Sequence, residues 1–205
     1  DAFAQKLPLQ VICSLLAIPA IDFEAVGEWT AALSLATATP TPEARVGADR
    51  AMQAFDDYVS EQIAQRRRRP GDDLLSALIA VEEDDDRLSR EELVAMVVQV
   101  LYAGHETTRN LIGNGLITLL DHPDELAHLR REPALLPNAV EEILRFEPPI
   151  LFLSRVALED IEVAGVRVEK GDLVHVNLAS ANRDPAVYAE PDRFDVGRRD
   201  FRHHS

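Results

Sequence analysis

The chain has 205 residues, one cysteine and a formal net charge of −15, with 46% apolar and 28% charged residues. That balance belongs to a globular chain of one large domain or two small ones and excludes a disordered one. So acidic a chain lacks the basic field that phosphate binding needs, which sets nucleic acid aside, and a lone cysteine excludes an internal disulfide and fits a reducing compartment.

No apolar run reaches the roughly 20 residues of a membrane span. The start, "DAFAQKLPLQ", lacks the basic and apolar regions of a signal peptide, so the expected location is cytoplasmic. Residues 1 to about 147 are helical in pattern, and residues from about 150 onward read as strands and loops. Leu9, Ile12, Cys13, Leu15 and Leu16 form an apolar stripe that stops at Pro19, and a second helix runs from Phe23 to about Leu35. After a "TPTPEA" loop, a longer helix is expected from about Glu43 to Arg68, with Met52, Phe55, Val59 and Ile63 at helical spacing. The basic run Arg66 to Arg69 ends at Pro70-Gly71 and reads as the C-terminus of that helix, where cations are favoured. "DDLLSALIAV" is a short helix and "EEDDD" a solvated loop. Ser89 with Glu92 forms a capping box, a strong helix start. The helix it opens can run to about Leu120, about 45 Å at the standard rise per residue. "HPDEL" restarts the chain, and Pro137 precedes "NAVEEILRF", which ends at Pro148-Pro149. "DIEVAGVRVEKGDLVHVNL" reads as a hairpin plus a further strand, broken at Ala164-Gly165 and Lys170-Gly171. "NRDPAVYAEPDRFDVGRRDF" is an ordered meander in which Tyr188, Phe194 and Phe201 need burial.

Two stretches interrupt this pattern with chemistry. Inside the long helix, "LYAGHETTRN" places His105-Glu106-Thr107-Thr108-Arg109 close to the zinc signature H-E-x-x-H. The fifth position is Arg109, which cannot ligate zinc. Ala103, Glu106, Thr107 and Asn110 share one helix face, small at one end and polar in the middle. Polar groups there are either satisfied or used. A helix crossing with water-bridged polar residues accounts for the stretch equally well. The second stretch, "EEILR", puts Glu142 and Arg145 at i and i+3, where an ordinary surface ion pair is the simplest reading.

Taken together, the two stretches resemble the cytochrome P450 family of heme-thiolate monooxygenases. The Ala-Gly-x-Glu-Thr-Thr segment of the long helix is followed by E-x-x-R, "RFEPP", the Arg155 strand and hairpin, and "NRDP…YAEPDRFDVGR", in family order. "VICSLLAIPAID" is similar to a bacterial helix segment. The resemblance covers essentially the whole chain. It implies a mainly α fold with a small β region, part of the P450 fold: a long central helix over 90–120, an E-x-x-R helix, a hairpin and a meander, in a single partial catalytic domain.

The resemblance also implies roles. Ala103 and Gly104 would let the long helix pass close to heme b (iron protoporphyrin IX). Thr107 would be the alcohol beside bound oxygen, and Glu106 the acid that relays protons. Tyr102, Ala103 and Thr107, with Ile150, Leu151 and Leu153, would line the substrate pocket. Glu142 and Arg145 would pair with Arg193 of "PDRF" in a structural triad. Arg155 would meet a heme propionate, and His203 would too, with His204 as its competitor. His105 is assigned no role. The implied reaction is O2-dependent hydroxylation or epoxidation of a small apolar organic substrate, with electrons from a ferredoxin and its NAD(P)H-dependent reductase. The metal ligand would be a cysteine in a Gly-rich loop expected beyond Ser205. Cys13, in an apolar helical stripe, is no substitute. The chain therefore resembles the middle half of a complete enzyme and is expected to be inactive alone. Two rivals are a heme-free helical binding or scaffold protein of the same fold and a zinc hydrolase built on the HETTR stretch.

Overall fold

The computed structural model describes residues 3–83, 89–199 and 203. The chain divides into two compact units, Asp1–Arg109 and Asn110–Ser205.

The first unit is helical: α1 (Lys6–Leu15), α2 (Phe23–Ala38), α3 (Pro42–Arg68), α4 (Leu74–Glu83) and the first part of α5 (Arg90–Asp121). The capping box expected at Ser89 forms, and α3 starts one residue earlier than expected, inside the stretch read as a loop. The Thr41 hydroxyl accepts the Ala44 N–H and Pro42 opens α3. At α5, the Glu92 carboxylate accepts the Ser89 N–H at 2.8 Å and the Ser89 hydroxyl accepts the Glu92 N–H at 3.2 Å, a closed capping box. α3 ends on Arg66, Arg67 and Arg68, and Arg66 reaches out to the Ala17 carbonyl at 2.7 Å and to Asp73 at 3.1 Å. The apolar stripes meet in one core, with Leu9, Ile12, Cys13, Leu16, Val26, Phe55, Val59, Ile63, Leu93, Val97 and Leu101 all buried. Trp29 packs edge-on against Phe55 with ring centroids 5.0 Å apart. α4 runs through Glu83, two residues into the segment read as the "EEDDD" loop, whose remainder lies outside the described residues.

The second unit holds the rest of α5, α6 (Pro123–Arg131), α7 (Leu136–Phe146), four short strands and a one-turn helix α8 (Leu178–Ala181). The hairpin expected over 161–168 forms as β2 (Ile161–Val163) and β3 (Val166–Val168). Its two-residue turn has φ of 50° at Ala164 and 79° at Gly165, the left-handed pair that suits hairpin twist. The further strand does not extend this hairpin. β4 (Leu173–Asn177) pairs antiparallel with β1 (Phe152–Val156), so the unit carries two separate two-stranded sheets. That pairing joins residues about twenty apart and leaves no local turn signal to read. In the core, Ala139 and Ile143 of α7 meet Phe194 and Val196 of the meander. Tyr188 and Phe194 are buried as expected; Phe201 lies outside the described residues. Leu116, Ile117 and Leu120 of α5 are exposed in this chain, unlike Leu93, Val94, Val97, Val98 and Leu101, which are buried.

Candidate functional site

In the first unit, Leu101 of α5 is buried in the core, and the residues after it carry the candidate chemistry. Gly104 faces α1: a Cβ there would lie 3.0 Å from Ile12 Cδ1 and 3.1 Å from Cγ1. The space this glycine leaves is filled by Ile12, so its physical role in this unit is the close approach of α1 to α5. Tyr102, Ala103 and Thr107 are half-buried. The Thr107 hydroxyl donates to the carbonyl of Ala103 one turn back, which parks a threonine side chain against its own helix.

His105 and Glu106 are buried, at 1% and 7% exposure. The ring of His105 has both nitrogens engaged: Nδ1 lies 2.8 Å from Thr30 Oγ1 in α2, and Nε2 lies 3.1 Å from the Gln5 carbonyl at the start of α1. Burial holds its pKa below the ordinary histidine value, against the pull of the Gln5 carbonyl and of Glu106 and with a smaller push from Arg109. A ring so occupied has no lone pair to give a metal, and among the described residues no three His, Cys, Asp or Glu side chains converge on a metal-sized site. Glu106 holds Arg109 through Oε2 at 3.0 Å. Its other oxygen, Oε1, is buried with no hydrogen-bond partner among the described residues. Native proteins rarely leave such an atom unpaired without a reason. Cys13 is fully buried, and burial, helped by the nearby Asp22 charge, pushes its thiol up to about 12. It is a protonated packing residue, not a thiolate.

In the second unit, Glu142 and Arg145 of α7 are both fully buried, which overturns the surface reading of this pair. Arg145 forks onto the carboxylate, Nε to Oε2 at 2.7 Å and Nη2 to Oε1 at 2.9 Å. Its remaining N–H groups go to the carbonyls of Asn182, Pro191 and Arg193 at 3.0, 2.7 and 3.1 Å. Glu142 Oε1 also accepts the Asp195 N–H at 2.9 Å. The triad expected with Arg193 needs correction. The Arg193 side chain is 57% exposed and pairs with Glu190; only its carbonyl enters the cluster. The second guanidinium on Glu142 is Arg198, with Nε 3.1 Å from Oε2. Arg198 also donates to the carbonyls of Ala189, Glu190 and Arg193, so it ties the meander to α7. The turn Asp195-Val196-Gly197, in which the Gly197 N–H donates to Asp195, brings Arg198 back to the carboxylate that Arg193 faces away from. Two arginines five residues apart in one loop carry no signal that would separate them in the sequence.

The remaining candidates lie on β1, just before it, or beside α7. Ile150 and Leu151 are exposed and Leu153 is half-buried on β1. Arg155 is exposed, with Nη1 bonded to the Ser154 carbonyl and no carboxylate partner among the described residues. His203 Nε2 lies 2.6 Å from Glu141 Oε2, so a carboxylate of α7 already occupies the side chain expected to meet a propionate. His204 lies outside the described residues.

The family model described as Cytochrome P450 matches residues 28–200. The chain is 44% identical over 198 residues to a vitamin D(3) 25-hydroxylase of Pseudonocardia autotrophica and 42% identical over 199 residues to the 6-deoxyerythronolide B hydroxylase of Saccharopolyspora erythraea. These matches cover 96% and 97% of this chain and 48% of each relative, so the chain spans about half the length of the curated relatives it matches. Among solved structures it matches CalO2 with a TM-score of 0.92 at 38% identity, over 99% of this chain and 51% of that one. It matches P450BioI, solved in complex with hexadec-9Z-enoic acid ligated acyl carrier protein, with a TM-score of 0.91 at 39% identity, over 98% of this chain and 52% of that one.

Proposed function

The chain belongs to the cytochrome P450 family and carries part of its fold, and from that premise we propose that the whole protein is a heme-dependent monooxygenase. Its reaction would be O2-dependent hydroxylation or epoxidation of a small apolar organic substrate. Heme b, when bound, supplies the redox chemistry that splits O2 and places one oxygen atom in the substrate. The observation that carries the reading is Glu106 Oε1, a buried carboxylate oxygen without a hydrogen-bond partner among the described residues, one residue before a half-buried threonine hydroxyl.

The residues present fit such a group. Glu106, anchored through Oε2 by Arg109, keeps Oε1 available to take up and give a proton. Thr107 Oγ1 donates to the Ala103 carbonyl and is freed by a single rotation to hold a proton on that helix face. Ala103 keeps the face low. Gly104 contributes by seating α1 against α5 through Ile12. Arg155, without a carboxylate partner of its own among the described residues, suits a propionate. His203 would take the same kind of anion in exchange for Glu141. Tyr102, Ile150, Leu151 and Leu153 are the candidate substrate contacts. Glu142, Arg145 and Arg198 hold the meander. Electrons would come from a ferredoxin and its NAD(P)H-dependent reductase in the cytoplasm. No helix of the described residues is long and apolar enough to cross a membrane.

The test is the CO-difference spectrum of the reduced full-length protein. A Soret band at the thiolate position supports the reading. Purified full-length protein that takes up no heme overturns it and leaves the heme-free scaffold.

A further inference from the structure

The hydrogen bonds around His105 leave one proton unassigned. A carbonyl only accepts, so the contact of Nε2 with Gln5 puts a proton on Nε2 in either charge state of the ring. Nδ1 is the open question. Thr30 has one hydroxyl proton and two acceptors for it, the Gly27 carbonyl at 2.9 Å and His105 Nδ1 at 2.8 Å. With Thr30 donating to Gly27, Nδ1 must carry a proton and donate to Thr30, and the ring is an imidazolium. With Thr30 donating to Nδ1, the ring is neutral. The third neighbour of Nδ1 is Glu106 Oε1, 3.7 Å away and buried without a hydrogen bond among the described residues. The groups that face the ring are thus Glu106 on α5, with Arg109 behind it, Thr30 and the Gly27 carbonyl of α2, and the Gln5 carbonyl at α1.

We propose that His105 Nδ1 and Glu106 Oε1 hold one proton between them, and that the Thr30 hydroxyl decides which atom has it. The exchange balances. The proton leaves Oε1 for Nδ1 while the Thr30 O–H turns from Nδ1 to the Gly27 carbonyl. The net charge of the pair is unchanged, so no proton is gained from or lost to a third group. Burial disfavours two ionic partners against a neutral acid beside a neutral imidazole, while Arg109, 3.0 Å from Oε2, favours the carboxylate. The two arrangements therefore compete, and a hydroxyl from another helix can tip them. His105, assigned no role from its place in the motif, becomes a positioning residue. Through Thr30, α2 sets the charge state of the acid on α5. The use of that proton in oxygen chemistry rests on the monooxygenase reading, while the sharing itself does not.

The experiment uses full-length protein labelled with 15N-histidine, read by ring-nitrogen NMR and by the infrared carboxyl C=O stretch. The wild type should show a protonated-carboxyl band that Glu106→Gln removes, and the same substitution should shift the His105 Nδ1 signal. Thr30→Val takes away the acceptor of the imidazolium form, so the carboxyl band should grow and Nδ1 should move to its neutral value. Thr30→Ser should restore the wild-type pattern. A spectrum with no carboxyl band sensitive to Glu106→Gln, and a His105 ring unmoved by Thr30→Val, overturns the proposal: Glu106 is then simply ionised against Arg109. Both readouts are taken whether or not heme is bound. A missing thiolate Soret band together with an intact carboxyl band would therefore sink the monooxygenase reading and leave the shared proton standing.

Discussion

The helices α5 and α7 each carry the same local pattern. Glu106 and Arg109 stand at i and i+3 on α5, and so do Glu142 and Arg145 on α7. Both glutamates are buried and both hold their arginine, at 3.0 and 2.7 Å, but their surroundings differ. At Arg145 all five guanidinium N–H groups find acceptors, two on Glu142 and three on backbone carbonyls, and Arg198 and the Asp195 amide fill the carboxylate. At Glu106 one oxygen is held by a third-exposed Arg109 and the other has no hydrogen bond among the described residues. A saturated buried pair has no capacity left for chemistry and acts as a clamp. An unsaturated one costs stability and retains a site for a proton. The i,i+3 spacing does not distinguish them; the carbonyls and hydroxyls brought from other elements do.

The largest effect should come from breaking the saturated pair. Glu142→Gln leaves the Arg145 guanidinium buried without its counter-charge, and removing one partner of a buried pair costs about 3–5 kcal/mol. Arg145→Lys should also be severe, because an ammonium cannot serve five acceptors laid out for a planar fork. Urea denaturation followed on this chain should show an early loss of the second unit in either variant. Arg193→Ala should be nearly silent and Arg198→Ala should not, which tests the corrected third member directly. Equal effects would undo the correction.

Thr107, next to the unsaturated pair, should respond in the opposite sense. Thr107→Ala removes a hydroxyl bonded only to its own helix, so the midpoint of unfolding should change little. In the full-length protein the coupling of O2 consumption to product should fall on the order of tenfold, with peroxide rising, as expected when a positioned proton-transfer group is lost. Unchanged coupling would remove Thr107 from the mechanism. A destabilisation as large as that of Glu142→Gln would place it with the clamp instead.

The glycines of α5 refine the comparison at a smaller scale. Among the described residues, nothing beyond its own helix backbone and chain neighbours lies within 4 Å of a Cβ built on Gly113, so Gly113→Ala should gain about 1 kcal/mol of helix stability in this chain. At Gly104 the new methyl must displace Ile12, and the same substitution should gain less or lose. Thermal unfolding of the two variants side by side measures the difference. If both gain equally, the contact between α1 and α5 is looser than the 3.0 Å approach indicates.

How far these features were legible follows from how local they are. The capped start of α5, Ser89 with Glu92, was readable to within a residue because the signal and the structure sit in the same turn, whereas Thr41 and Pro42, read as loop, cap and open α3. The Ala164-Gly165 turn was readable for the same reason. The pairing of β1 with β4, the choice of Arg198 over Arg193, and the Thr30–His105 contact across 75 positions were not, since each is decided by elements distant in sequence. Gly104 was readable as a special position but not for its cause. The resemblance implies a close pass by the heme, and the neighbour a Cβ there would meet in this chain is Ile12.

The smallest effect concerns a third glutamate, and it separates burial from hydrogen bonding as the source of the contrast. Glu92 is exposed, yet the Ser89 amide, and with it the Ser89 hydroxyl, holds its carboxyl below the ordinary glutamate value. A depressed folded-state pKa stabilises the fold above the unfolded value, and the contribution disappears as pH falls through the folded one. Wild type should therefore exceed Glu92→Gln in stability at neutral pH. The gap should close on acidification, below the ordinary carboxylate range and not above it. Ser89→Ala should flatten that dependence, since the cap itself is the cause. Denaturation midpoints of the three chains across the acid range decide it. A gap that persists at low pH would mean that the charge at the α5 N-terminus is not what the capping box stabilises.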